Sequence, residues 1–190
     1  MQTVIIGGSF NPLHIGHLFL AEEAFVQFAC TQVIFVPSHS SAHKHNRTSV
    51  SPEARFSMVS LAVDGLEWIT VDDCEIKRGG VSYSIDTIRQ LEQTYSFEEK
   101  PGFVIGDDLV ADFHLWKDYE MLLNKVEIIV AHRMYTEKVN VPFPHQYLNN
   151  VLIPISSSDI RERIREGDAY RFLIPEKVYH YIRENKLYMD

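Results

Sequence analysis

The chain has 190 residues, a formal net charge of −8 with histidine counted as neutral, 45% hydrophobic residues and 23% charged residues. Those values suit a globular chain that can bury a sizeable core, and the acidic balance argues against broad nucleic-acid binding, which needs a basic face. Two cysteines without zinc or redox spacing, no signal-peptide pattern and no membrane-length apolar run lead us to expect a cytoplasmic protein with no membrane partner.

Residues 3–6 form a β-branched apolar run and read as a buried strand. From Gly16 to residue 29 the apolar positions Leu18, Leu20, Ala21, Ala24, Phe25 and Phe28 fit one helix face. Gln32–Pro37 reads as a second strand, and residues 38–50, polar and His-rich, read as a loop. Ser51, Pro52 and Glu53 make a helix start, and that helix should run to about Val63. A third strand is expected over residues 68–71 and a helix over 84–95. Gly102–Gly106, Glu127–Ala131 and residues 151–155 read as the fourth, fifth and sixth strands. Residues 138–150, with two prolines and two asparagines, are the most loop-like interior stretch. Helices over Ser157–Glu166 and about 175–185 close the chain.

Strands alternating with helices imply a parallel sheet covered on both faces, and such sheets bind ligands beyond the carboxyl ends of their strands. The unusual segments all follow predicted strands: GGSFNPLHIGH, SHSSAHKH, GDD, HR and SSSDIR. They should converge on one rim. No repeat or linker divides the chain, so residues 1–190 are expected to form one domain with a helical portion from about residue 156.

GGSFNPLHIGH carries more chemistry than a turn needs. Gly7 and Gly8 end the strand without side chains, which lets a ligand lie against the backbone. Asn11-Pro12 makes a turn. His14 and His17 share a face at the start of a helix, beside free backbone amides, and such a place suits phosphate. Gly16 leaves room there for something flat and close. The string is neither a Walker loop nor a GxGxxG turn. Read alone, the two histidines are equally a metal pair or a helix cap. His39, His43 and His45 fit no structural zinc spacing, and no metal-ligating set is expected.

The same string resembles the HxGH segment of a nucleotidyltransferase superfamily. ISSSDIR, residues 155–161, resembles that superfamily's ISSTxIR segment, with Ser158 in the threonine's place. VSYSIDTIRQL, FVIGDD, DFHLWKDYEMLL and FLIPEKVYHYIRENKLY resemble the SYTxDT, GAD, LPxWxxxxxLL and closing-helix segments of bacterial nicotinate-nucleotide adenylyltransferases. The resemblance runs from residue 4 to residue 188. It implies an α/β fold with a Rossmann-like, doubly wound parallel sheet. It also implies transfer of AMP from ATP to nicotinate mononucleotide, giving deamido-NAD and pyrophosphate in NAD biosynthesis, with Mg2+ required. ATP and nicotinate mononucleotide would be the partners, and a homo-oligomer is left open.

Adenylyl transfer needs no covalent intermediate, because a phosphate oxygen is already ionised at neutral pH, so positioning and charge stabilisation carry it. The resemblance assigns His14 and His17 to the ATP phosphates, with Lys44 and Arg161 completing the catalytic set. Lys44 matches the lysine of the family's PPHK segment, whose prolines are missing here. Gly7, Gly8, Ser9, Phe10, Gly106, Ile155, Ser157 and Ser158 would line the ATP side. Ser157 and Arg161 read equally as a helix cap and an exposed cation when taken alone. Ser9, Lys44, Tyr83, Ser84, Asp107, Trp116 and Arg133 would hold the mononucleotide. Asp107 is taken as the aspartate of GAD, on ribose hydroxyls, with Asp108 in its neighbour's place. Asp86 would brace its helix, and Arg55 is open between structure and ligand. The alternatives are a nicotinamide-mononucleotide or pantetheine-phosphate adenylyltransferase, a synthetase-like protein carrying HIGH, and a nucleotide-binding sensor.

Overall fold

The structure is a computed structural model and describes residues 1–42 and 50–189. The chain runs β1 (Thr3–Gly8), α1 (Ile15–Gln27), β2 (Gln32–Pro37), β3 (Ser40–Ser41), α2 (Pro52–Val63), β4 (Ile69–Val71), α3 (Cys74–Arg78) and β5 (Val81–Ser82). It continues through α4 (Ser84–Thr94), β6 (Gly102–Gly106), α5 (Tyr119–Lys125), β7 (Glu127–Ala131), β8 (Gln146–Leu148), α6 (Ser157–Glu166) and α7 (Glu176–Glu184). Six strands make one parallel sheet in the order β4-β2-β1-β6-β7-β8. Strand order reverses between β1 and β6, so a crevice opens at their carboxyl ends.

The expected alternation follows from burial on both faces. Val4 and Ile6 of β1 pack with Ala21 and Ala24 of α1 and Val59 of α2. Ile5, pointing the other way, packs with Ile85 and Leu91 of α4 and Leu122 of α5. A third cluster joins Met58 of α2 to Ile160 of α6 and Val178 of α7, which seats the C-terminal helices. α2 begins as its sequence implies, with Ser51 Oγ accepting from the Ala54 amide and Pro52 in the first turn. Tyr188 then ties the end of the chain to its beginning, its hydroxyl donating to Asn11 Oδ1 at 2.6 Å.

The sixth strand is not where the sequence suggests. Residues 151–155 form no strand, and Gln146–Leu148, inside the loop-like stretch, pairs with β7 instead. The physical reason is visible in the hydrogen bonds. The amides of Asn149 and Val151 donate to Gln27 Oε1 and Glu23 Oε1 of α1 at 2.8 and 3.0 Å, so side chains satisfy that backbone rather than a neighbouring strand. Pro154 has no amide to offer, and Val151 is exposed. Three short features escape periodicity altogether: α3, α5 and the parallel pair β3–β5 that lies within and beyond the predicted loop. Among the described residues no helix is long and apolar enough to cross a membrane.

Candidate active site

A cavity of about 640 Å³ opens at the carboxyl ends of β1 and β6. Gly7, Gly8, Ser9, Phe10, His14 and His17 line it from the β1–α1 turn. Gly106, Ile155, Ser157 and Ser158 line it from β6 and the start of α6, and Ser84, Trp116 and Arg133 complete the expected set. Tyr83, Asp107 and Arg161 are not among its lining residues. Lys44, with His43 and His45, lies outside the described residues.

The two sequence motifs, far apart in the chain, are bonded to one another. Arg161 Nη1 donates to the carbonyl of Asn11 at 2.8 Å, and Ser157 Oγ donates to that of Pro12 at 2.9 Å. Arg161 Nη2 also reaches Ser158 Oγ at 3.1 Å. Ser156 is the cap of α6, accepting from the Asp159 amide at 3.1 Å, so Ser157 and Ser158 stand in the first turn. That helix start and the start of α1 both present amides to the cavity wall. Arg55 is structural. It is 3% exposed, and its guanidinium donates to the carbonyls of Ser9 and His39 at 2.7 and 2.8 Å, shaping the turn from behind.

The imidazoles of His14 and His17 lie with ring centroids 3.7 Å apart. The His14 amide donates to His17 Nδ1 at 3.2 Å. With Nδ1 accepting, the neutral ring carries its proton on Nε2, which makes that atom the donor. His14 is almost fully buried, and burial, aided by the Arg133 charge, pulls its pKa down to about 4. It therefore enters the site as a neutral hydrogen-bonding ring. Gly16 lines the cavity, and its missing side chain also makes room for a nearer neighbour. A Cβ there would meet Cε1 and Nδ1 of His14 at 3.1 Å, so the flat neighbour it admits is that imidazole. Gly16→Ala should lower the melting temperature slightly, because its Cβ would press at 3.1 Å on a buried imidazole packed against His17 and the first turn gains little of alanine's interior-helix advantage. It should also lower kcat about tenfold by tilting the ring, since small misplacements at a reacting centre are costly. Parallel melting and initial-rate measurements check both halves.

Of the acidic pair after β6, Asp107 is buried and Asp108 lines the cavity. Asp107 is 3% exposed, and its oxygens accept the amides of Arg133, Met134 and Tyr135 at 2.9–3.1 Å. It pins the turn after β7. Asp108 lines the cavity, with Oδ2 paired to Arg133 Nη1 at 3.1 Å and Oδ1 buried without a hydrogen-bond partner. Matched position by position, G-A-D falls on Gly106, Asp107 and Asp108, so the aspartate's place is that of Asp108. Gly106 is what lets it fold back, because a Cβ there would run into Asp108 Oδ1 and the Arg133 stem.

At the other end, Trp116 packs on Phe113 with ring centroids 4.9 Å apart and lines the cavity. Asp86 braces this end as expected. It bonds Lys117 Nζ at 2.7 Å, and that ammonium sits 4.8 Å from the Tyr83 ring centroid. The link fixes Trp116 against the start of α4, with Tyr83 a support rather than a wall. Sequence reading missed Glu75, Ser82, Thr87 and Glu23, all in the cavity lining. Glu75 and Ser82 come from elements too short to show a period, and a lone glutamate carries no spacing signal.

Residues 5–163 match the family model described as cytidylyltransferase-like. A Borrelia garinii subsp. bavariensis protein named "Probable nicotinate-nucleotide adenylyltransferase" is 42% identical over 189 residues, covering 100% of this chain and 95% of that protein. A Geotalea uraniireducens protein of the same name is 34% identical over 215 residues, covering 100% and 99%. In fold, the chain resembles the Plasmodium falciparum nicotinic acid mononucleotide adenylyltransferase solved with NaAD. The TM-score is 0.78 and the identity 18%, over 99% of this chain and 98% of that one. The parallel order of the sheet, the crevice where that order reverses and the full-length match to these relatives agree, and the chain belongs to the cytidylyltransferase-like family, within its nicotinate-nucleotide adenylyltransferases.

Proposed function

We propose that this protein transfers AMP from ATP to nicotinate mononucleotide, forming deamido-NAD and pyrophosphate. One observation supports the reading above all: the GGSFNPLHIGH turn and the SSSDIR helix start, joined through Arg161–Asn11 and Ser157–Pro12, wall one cavity at the switch point of the sheet. Two helix starts, two imidazoles and hydroxyls suit a triphosphate on one side. An aromatic ring and the Ser84 hydroxyl suit a pyridine on the other.

The mononucleotide's phosphate oxygen attacks the α-phosphorus of ATP, the bond to the β-phosphate oxygen breaks, and pyrophosphate leaves in line. His17 donates through Nε2 to the α-phosphate oxygens as their charge spreads. His14, neutral and buried, holds His17 through its amide and gives the nucleotide a close wall. Ser157, Ser158 and the amides of α6 hold the outer phosphates, and Arg161 fixes that helix to the turn while adding its charge. Asp108 takes ribose hydroxyls. Lys44 is assigned to phosphate by family resemblance.

Mg2+ fits as a guest of the triphosphate. Among the described residues no group of three or more His, Cys, Asp or Glu could cage a metal. Mg2+ does not need a cage, since it takes most of its oxygens from phosphate and water plus one or two carboxylates. Asp159, beside Ser157 and Ser158 in the lining, is the carboxylate that would hold it. When bound it neutralises phosphate charge.

The test is pyrophosphate release from ATP and Mg2+ with nicotinate mononucleotide, nicotinamide mononucleotide or phosphopantetheine in separate reactions. Release is expected with the first, and more weakly with the second. Release with phosphopantetheine alone would overturn the assignment of the pyridine end, and release with none would favour a nucleotide sensor.

A further inference from the structure

The turn that carries the two histidines is gripped from outside, and one of the grips has no part in the proposed chemistry. Arg55 holds the carbonyl of Ser9, and Arg161 and Ser157 hold those of Asn11 and Pro12. Asn11 is 2% exposed, and its side-chain oxygen accepts from the Tyr188 hydroxyl at 2.6 Å. Its Nδ2 is buried with no hydrogen-bond partner among the described residues. Phe10, the residue before it, has a φ of 43°, a left-handed conformation that a bulky side chain adopts only at a steric cost. An unpaired buried amide and a left-handed phenylalanine side by side persist only where surrounding contacts over-determine them.

Tyr188 reaches the turn through left-handed residues of its own. α7 closes with the Leu187 amide donating to the Ile182 carbonyl at 3.0 Å, which sets Lys186 at a φ of 51° where glycine is the usual residue. Tyr188 follows at a φ of 63° and is packed into the cluster of Ile160 and Val178. Burial pushes its hydroxyl pKa above the usual value, although Arg161 and Arg55 pull the other way, so the hydroxyl keeps its proton and donates.

We propose that Tyr188 is a positioning residue for adenylyl transfer, its hydroxyl holding Asn11 and with it the strained turn that aims His17 at the reacting phosphate. The inference rests on the reading above that His17 serves the α-phosphate. Asn11 connects to the imidazole in two directions. Ahead of it, Pro12, Leu13 and His14 are all buried, and the His14 amide orients His17 through Nδ1 at 3.2 Å. Behind it, Phe10 packs edge-on against the same ring, centroids 5.1 Å apart. A shift at Asn11 therefore moves the donor, while the amides of α6 that hold the outer phosphates stay in place. Such a displacement slows the chemical step more than it weakens binding.

The experiment measures kcat, KM for ATP and melting temperature in the wild type, Tyr188→Phe, Asn11→Ala and the double variant. Phenylalanine keeps the packed ring and removes only the hydroxyl. Tyr188→Phe should lower kcat about tenfold at a temperature where circular dichroism shows it fully folded, with KM for ATP within about twofold of wild type. Asn11→Ala removes the acceptor instead and should lower kcat at least as far. The double variant should be no slower than Asn11→Ala, because the hydroxyl acts through Asn11. A tyrosine that only stabilised the fold would lower the melting temperature and leave kcat of the folded protein unchanged. Tyr188→Phe with wild-type kcat, or with raised KM and unchanged kcat, overturns the proposal, and so do losses in kcat that multiply in the double variant. If Tyr188→Phe does not fold, Asn11→Ala decides: lowered kcat at unchanged KM supports the proposal and wild-type kcat overturns it. A wild type that releases no pyrophosphate with any acceptor sinks the reading of the reaction instead, which separates the two failures.

Discussion

His17→Ala should lower kcat about a hundredfold to a thousandfold, the usual cost of removing one donor aimed at developing charge. KM for ATP should change little, because helix amides and the first turn of α6 still hold the outer phosphates. His17 Nδ1 is engaged by the His14 amide, so the ring cannot turn without breaking that bond, and its proton is held on Nε2. Phe10 packs edge-on against the same ring, centroids 5.1 Å apart, and restrains it further. Removing the imidazole leaves the His14 amide without its acceptor, a loss of about 1 kcal/mol that melting will register. A variant that melts near wild type and turns over normally would remove His17 from the chemistry. One that binds ATP poorly, by titration calorimetry, would make it a binding group and not a transition-state donor.

Much of this site was legible because long-range convergence could be read from two local rules. Short β-branched apolar runs such as Gln32–Pro37 and Glu127–Ala131 favour buried strands, and ligands gather beyond their carboxyl ends. Those rules placed the His14 turn on the rim, whereas for the Ser157 helix they reached the right rim from a strand, residues 151–155, that the structure does not have. What failed was local context. Residues 151–155 have a strand's composition, but their neighbours are α1 side chains, and composition does not report who supplies the hydrogen bonds. Gly16 was read as room for a ligand and does line the cavity, but the sequence did not show that the nearest flat object is a side chain two residues before it. Glu75 was invisible because its meaning comes from burial, which a five-residue helix does not advertise in its pattern.

The aspartate pair shows the same limit and yields the second large effect. Both residues follow a buried strand and both are acidic, so apart from the G-A-D register only orientation separates them. Asp107→Ala strips the acceptor from three backbone amides in a turn that cannot be rewetted fully, at a cost of about 3 kcal/mol. For a chain of this size that is a fall of about 10 °C in Tm. Asp107→Asn keeps one oxygen, and Oδ1 alone serves the Arg133 and Met134 amides, so it should lose less than half as much. Asp108→Ala should behave in the opposite way. Its ion pair with Arg133 is half exposed, and such pairs contribute under about 1 kcal/mol, so Tm should hold. KM for the nucleotides should rise about tenfold or more through the lost ribose contact. Thermal melts and initial rates on the same three preparations decide it. A stable Asp107→Ala with raised KM beside an unstable Asp108→Ala would return the ribose role to Asp107. The expected pattern makes Asp107 the anchor of the Arg133 turn and Asp108, from the turn after β6, the carboxylate that faces the nucleotide.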